Sequence, residues 1–255
     1  CAEQMLYAAC FRVMAEISKQ LGKDGNVYRQ EYEKLTAAIE KFFWDEEKGA
    51  YIDSFTSGKR NVTRHANIFA ILFDIADKQK QEKILTNVLE NDEIPAITTP
   101  YFNFFELDVL CQMGKLTEVL DKIRSYWGGM LDLGAVTFWE EYDPSVPKEE
   151  QYDMYGDHFG KSLCHAWAAS PIYFLAKYFA GLDLVNKDGV TYVLKPQMQY
   201  FTDLDCTLPV GSDGTVRLAW DGECLEVTAD AEGGVLELGE EKISLVRGET
   251  RRVKI

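Results

Sequence analysis

Apolar residues recur at helical spacing over residues 3–182 and at every second position beyond Leu184, so the chain reads as helices followed by strands. Met5, Leu6, Ala9, Val13, Met14 and Ile17 form one stripe, with Gly22 as its stop. Val27, Tyr28, Tyr32, Leu35, Ile39, Phe42 and Phe43 form a second, broken by a turn at 45–49. Further helices are predicted over 64–76, 78–91, 100–113, 115–127 and 162–180. Thr99-Pro100 supplies an N-cap and a first-turn proline, and Gly114 and Gly181 stand where helices end in a left-handed residue. Ser170-Pro171 is expected to restart or kink the last helix.

The period then changes. Short alternating runs at 191–194, 216–220, 224–228, 235–238 and 243–246 predict strands, and Asp221-Gly222 predicts a two-residue hairpin. The fold class is α+β, with two domains meeting at 185/186 and residues 186–255 forming a small antiparallel β-sandwich. A polar stretch at 141–160, carrying Tyr142, Tyr152, Tyr155, Gly156 and Gly160 among acids, is long for a loop inside a domain. It is either a functional loop at a pocket mouth or a disordered acidic insert.

Charge narrows the partners. The net charge of −15 disfavours nucleic acid and anionic lipid surfaces, and no apolar run is long enough for a membrane helix. Six cysteines lie scattered with no Cys-x-x-Cys pair, which leans towards a reducing, cytoplasmic setting or a bacterial chain without disulfides. No phosphate loop, dinucleotide fingerprint, His-Glu-x-x-His or Gly-x-Ser-x-Gly motif is present, so no cofactor or metal is expected. The Gly128-Gly129 pair reads as a turn. The chain opens on Cys1 in what reads as mid-helix, as expected for the C-terminal piece of a longer polypeptide.

Candidate chemistry gathers in two stretches. Gly134-Ala-Val-Thr-Phe-Trp-Glu-Glu141 sets carboxylates beside a tryptophan, and Ser162-Leu-Cys-His-Ala-Trp167 adds a histidine–tryptophan pair. Aromatic faces stack on the C–H-rich faces of sugars, and carboxylates do acid–base work at an anomeric carbon. Neighbouring side chains point apart, so at most one of Glu140 and Glu141 faces a given pocket. On residue type alone, Glu140 is equally a solvated loop acid, and His165 a satisfied structural histidine.

The run from Thr98 to Leu182 resembles the bacterial α-L-rhamnosidase family of inverting glycoside hydrolases. The resemblance rests on TPYFNFFELDVLCQMG, IRSYWGGMLDLGAVTFWEEY and KSLCHAWAASPIYFLAKYFAGL. It implies a partial (α/α)6 toroid of helical hairpins over 1–185, followed by the family's C-terminal β domain. It implies that Glu140, directly after the tryptophan of Thr-x-Trp-Glu, is the general base, and that His165 contacts the sugar. The family's general acid lies in the first half of the toroid and has no counterpart here, so the chain alone is expected to be inactive. Asp143, Asp153 and Asp157 read as loop acids.

Trp139 and Trp127 are candidate stacking platforms, Tyr101 a candidate at a helix start, and Arg64 a candidate hydrogen-bond donor to sugar. Trp167 reads as core and His158 as surface. The expected ligand is a rhamnose-containing glycoside or oligosaccharide. A toroid glycosidase for another sugar, or a non-catalytic carbohydrate-binding protein, are the competing readings. Half a toroid should also leave helix faces uncovered, which predicts a homodimer through the open face.

Overall fold

The computed structural model describes residues 1–187, 189–212 and 214–255, with the backbone alone at Asn186 and Lys187. Close contacts group into two units, 1–114 with 128–168, and 115–127 with 169–255.

In the first unit, α1 (Ala2–Gln20) packs against α2 (Asn26–Phe43). The 45–49 break is a hairpin turn between two short strands, β1 (Trp44–Asp45) and β2 (Ala50–Tyr51). Then come α3 (Arg64–Leu72), α4 (Lys78–Ile84) with a π-helical turn Leu85–Leu89, and α5 (Pro100–Gln112). Met5, Ile39, Tyr51, Ile68, Ile84 and Val109 meet in one core. Burying an aliphatic side chain of this size contributes roughly 1.5–3 kcal/mol.

The stripe read along α1 divides. Met5 and Ala9 are buried, whereas Leu6, Val13, Met14 and Ile17 are 40–51% exposed. The buried face runs through Met5, Ala8, Ala15 and Ser18 instead. This helix is apolar on two sides, and periodicity alone does not choose between them. Thr99 does precede α5, but its hydroxyl makes no capping bond.

The second unit contains α6 (Leu116–Lys122), continued by a π-helical turn Ile123–Trp127. Between these stretches, α7 (Gly128–Asp132) belongs to the first unit. The glycine pair expected as a turn therefore opens a short helix. Tyr142 accounts for Gly129, because a Cβ there would lie 2.4 Å from its hydroxyl. The predicted helix at 162–180 starts only with α8 (Ser170–Phe174), which runs into a π-helical turn Leu175–Phe179. Pro171 sits in the first turn, the one place its missing N–H and its ring are tolerated. Gly181 then takes φ +73°, and a Cβ would lie 2.2 Å from the Lys195 carbonyl, so only glycine fits.

Strands follow as β3 (Leu182–Lys187), β4 (Val190–Leu194), β5 (Leu204–Val210), β6 (Gly214–Trp220), β7 (Cys224–Asp230), β8 (Gly234–Leu238), β9 (Glu241–Leu245) and β10 (Thr250–Lys254). They build two four-stranded sheets, ordered β10-β7-β6-β5 and β3-β4-β8-β9. All pairs are antiparallel except β4–β8, which runs parallel with Leu194 opposite Leu236. Side chains from both sheets share a core that includes Tyr192, Leu194, Leu218, Leu225, Val227 and Leu236. The three strands that alternation failed to predict, β3, β5 and β10, all lie at sheet edges. Edge strands tolerate a proline such as Pro209 and basic residues such as Arg251 and Arg252, which blur the pattern. The β6–β7 connection is also longer than two residues: Trp220 pairs with Leu225, and Asp221 Oδ1 accepts from the backbone N–H of Glu223 and Cys224.

Arg64 departs from its expected role. It is buried at the start of α3 and ion-paired to the equally buried Glu106 on α5 at 3.1 Å. Its guanidinium also donates to the carbonyl oxygens of Leu89, Asn91 and Ile94 at 2.8, 3.4 and 3.5 Å. The fork ties α5 and the 89–94 connection to α3, so its donors serve the fold rather than a sugar. Arg64→Leu is expected to cost about 3–5 kcal/mol, because it strands a buried carboxylate. Chemical denaturation checks this; unchanged stability together with lost sugar affinity would return Arg64 to the binding residues.

Candidate active site

Two segments without regular structure are held side by side. The Glu140 N–H donates to Ser162 O at 2.9 Å, and the His165 N–H donates to Phe138 O at 2.8 Å. The Thr137 hydroxyl donates to Leu163 O. These bonds set 137–140 against 162–165, and the helix predicted from 162 gives way to them. The pairing brings Glu140 and His165 together. Glu140 is only 8% exposed; its Oε2 accepts from the Ser162 N–H at 3.1 Å and its Oε1 from the Tyr155 hydroxyl at 3.3 Å. His165 Nδ1 lies 3.9 Å from Oε2, too far for a direct hydrogen bond. Glu141 turns away, and its Oε1 accepts from the Thr98 hydroxyl at 2.8 Å. One carboxylate of the pair is therefore aimed into the site, as the alternation of side-chain directions requires.

An aromatic surface adjoins His165. Its ring lies 4.2 Å from Trp167, and Trp167 lies 5.0 Å from Tyr101 at the start of α5. Trp167 and Tyr101 remain 45% and 47% exposed. Trp167, expected in the core, is thus an open ring beside the histidine. Trp139 is 3% exposed and meets Tyr152 edge-on at 5.7 Å, so it backs the Glu140 segment from within. Trp127 lies in the other unit, 6% exposed and edge-on to Tyr126 at 4.7 Å. Buried indoles of this kind contribute packing and do not present a stacking face.

The 141–160 stretch has a definite conformation. Gln151 is buried and donates to the carbonyls of Asp143 and Val146 at 2.6 and 2.8 Å. Asp143 accepts from Ser145, and Asp153 pairs with His158 at 2.6 Å, so these acids are occupied locally. Lys161, which follows the loop, is 8% exposed. Burial pushes its ammonium below the usual lysine range, against the pull of Glu141, Asp143, Asp153 and Glu140. Sequence reasoning missed Lys161, Tyr155 and Trp167; of these, only Trp167 had a usable signal, its place two residues after His165.

Among the described residues, no cluster of three or more His, Cys, Asp or Glu side chains is spaced for a metal ion, and no helix is long and apolar enough to cross a membrane. Clefts also open elsewhere. One of about 730 Å³ lies around Lys59, Arg60 and Asn87, and one of about 750 Å³ lies around Gln197, Trp220 and Glu237. Neither lining brings a carboxylate and an imidazole together as Glu140 and His165 are, so the latter are taken as the candidate site. That arrangement offers a held carboxylate, an imidazole for hydroxyl recognition and an aromatic surface, which together suit a sugar.

Comparison with known proteins bears on the family. The model of the bacterial alpha-L-rhamnosidase 6 hairpin glycosidase domain matches residues 1–179. Among solved structures, a rhamnosidase from Klebsiella oxytoca with rhamnose bound is 30% identical, with a TM-score of 0.60 over 69% of this chain and 34% of that one. A GH78 family rhamnosidase of Bacillus sp. GL1 is 22% identical, with a TM-score of 0.75 over 92% of this chain and 26% of that one. An alpha-L-rhamnosidase of Streptomyces avermitilis complexed with L-rhamnose is 16% identical, with a TM-score of 0.66 over 91% of this chain and 22% of that one. The two below 25% identity speak for the fold alone. The chain spans about a third or less of each of these structures. Comparison with curated proteins gives no match. With its match over 1–179, the chain belongs to the bacterial α-L-rhamnosidase six-hairpin glycosidase family.

Proposed function

We propose that the complete polypeptide hydrolyses terminal, non-reducing α-L-rhamnosides with inversion, and that Glu140 is its general base. The carrying observation is a single carboxylate held between the Ser162 N–H and the Tyr155 hydroxyl, beside His165 and the open Trp167–Tyr101 surface. In an inverting reaction, the base takes a proton from the water that attacks the anomeric carbon. A second carboxyl group, about 6.5–9.5 Å away, protonates the leaving oxygen. We assign that acid to a segment outside this chain, so the chain alone is inactive. Residues 1–185 then form the C-terminal portion of the toroid, and 186–255 its β domain. His165 hydrogen-bonds ring hydroxyls, while Trp167 and Tyr101 carry the apolar sugar face.

The test is L-rhamnose release from an aryl α-L-rhamnoside by the complete polypeptide, wild type beside Glu140→Gln. The variant should lose about 10²–10⁴ in rate, the range of general acid–base assistance, and still bind rhamnose. Equal rates contradict the base assignment. Binding without turnover by wild type favours a carbohydrate-binding protein instead. We also place the expected self-association of the isolated chain on the apolar outer face of α1, where Leu6, Val13, Met14 and Ile17 are exposed. Light scattering at micromolar concentration should give a dimer mass, and a strictly monomeric mass overturns this.

A further inference from the structure

Tyr155 occupies a position that local structure disfavours. Met154 and Asp157 exchange both backbone hydrogen bonds, each 3.0 Å long, leaving Tyr155 and Gly156 as a two-residue hairpin turn. Their φ angles are 56° and 82°, the pattern of a type I′ turn in which both central residues are left-handed. Asn or Gly ordinarily fills the first of these positions, and a bulky tyrosine there is strained. Burial does not offset the strain, because the residue is 84% exposed. What the turn achieves is placement: the Tyr155 hydroxyl reaches the otherwise buried Glu140.

The geometry points to Tyr155 as a positioning residue for the base. Its phenol holds Oε1 of Glu140 while the Ser162 N–H holds Oε2, fixing the plane of the carboxylate. A carboxylate has about four acceptor positions, so two remain for the attacking water. The negative charge of Glu140 raises the phenol above the usual tyrosine range, which keeps it a donor. At 3.3 Å the contact is longer than an ordinary O–H···O bond, as befits a group that tightens when substrate arrives. The inference rests on Glu140 being the base of an inverting reaction. In that geometry the base stands on the face opposite the leaving group, so the 155–156 tip lies on the water side. Charged or titratable groups near Glu140 include His165 and Lys161.

The test uses the complete polypeptide and an aryl α-L-rhamnoside, with kcat, KM and Tm compared for wild type, Tyr155→Phe, Tyr155→Asn and Glu140→Gln. Tyr155→Phe keeps the ring and loses the donor. It should lower kcat by about tenfold with KM little changed, the scale of a hydrogen bond to a charged group. Tyr155→Asn suits the turn, so its Tm should equal or exceed that of wild type while kcat falls at least as far. Wild-type kcat in Tyr155→Phe, with Glu140→Gln inactive, would overturn the proposal and leave the base intact. A lowered Tm in Tyr155→Asn would show a structural role instead and overturn it as well. An active Glu140→Gln removes the base itself, and this inference with it.

Discussion

The site depends on one arrangement of backbone hydrogen bonds, that between 137–140 and 162–165. Neither segment is a helix or a named strand, yet the Glu140 and His165 N–H groups are each satisfied by a carbonyl of the other segment. A buried backbone group without a partner is costly, so this exchange fixes the register of the two segments. The Ser162 N–H then falls on the Glu140 carboxylate. The same main-chain register thus brings together the proposed base, a donor to its carboxylate and the histidine beside it. Side-chain packing adds the backing of Trp139 and the opening at Trp167.

The loop between these segments supports the arrangement by the same economy. Buried Gln151 binds two loop carbonyls in place of a strand, and the Lys161 N–H donates to Tyr152 O at 3.2 Å where the loop closes. A lysine charge buried among four acids offsets repulsion that would otherwise spread the loop. The cost of this design is a desolvated ammonium and a left-handed tyrosine. Strain held near a reacting group by a well-bonded surrounding is the usual pattern of a functional site.

Much of this was legible in the sequence, and the misses have identifiable causes. Helical periodicity located α1 to α6, and period-two alternation located β4 and β6 to β9, because those elements bury one face. It failed where burial does not write a period. The outer stripe of α1 is apolar but uncovered, and the edge strands β3, β5 and β10 carry polar residues and a proline. Residues 162–169 kept apolar spacing yet left the helix, since Pro171 begins α8 and the backbone groups of Ser162 and His165 are taken by the neighbouring segment. The motifs singled out Glu140 and His165 as candidates, and the fold brings their segments together. Arg64 was misassigned because a sequence shows a cation but not Glu106 buried beside it. Tyr155 was invisible as a site residue because its part depends on a turn conformation that its residue type does not suggest.

The central claim is that Glu140 activates water, and the stereochemistry of the product tests it most directly. Proton NMR of the anomeric signals, recorded as the complete polypeptide begins to hydrolyse an aryl α-L-rhamnoside, distinguishes the two mechanisms before mutarotation mixes the anomers. The account predicts β-L-rhamnose as the first product, since water delivered by a base attacks the face opposite the leaving group. First appearance of the α anomer would mean a covalent glycosyl-enzyme and a nucleophilic carboxylate, and would contradict the role given to Glu140.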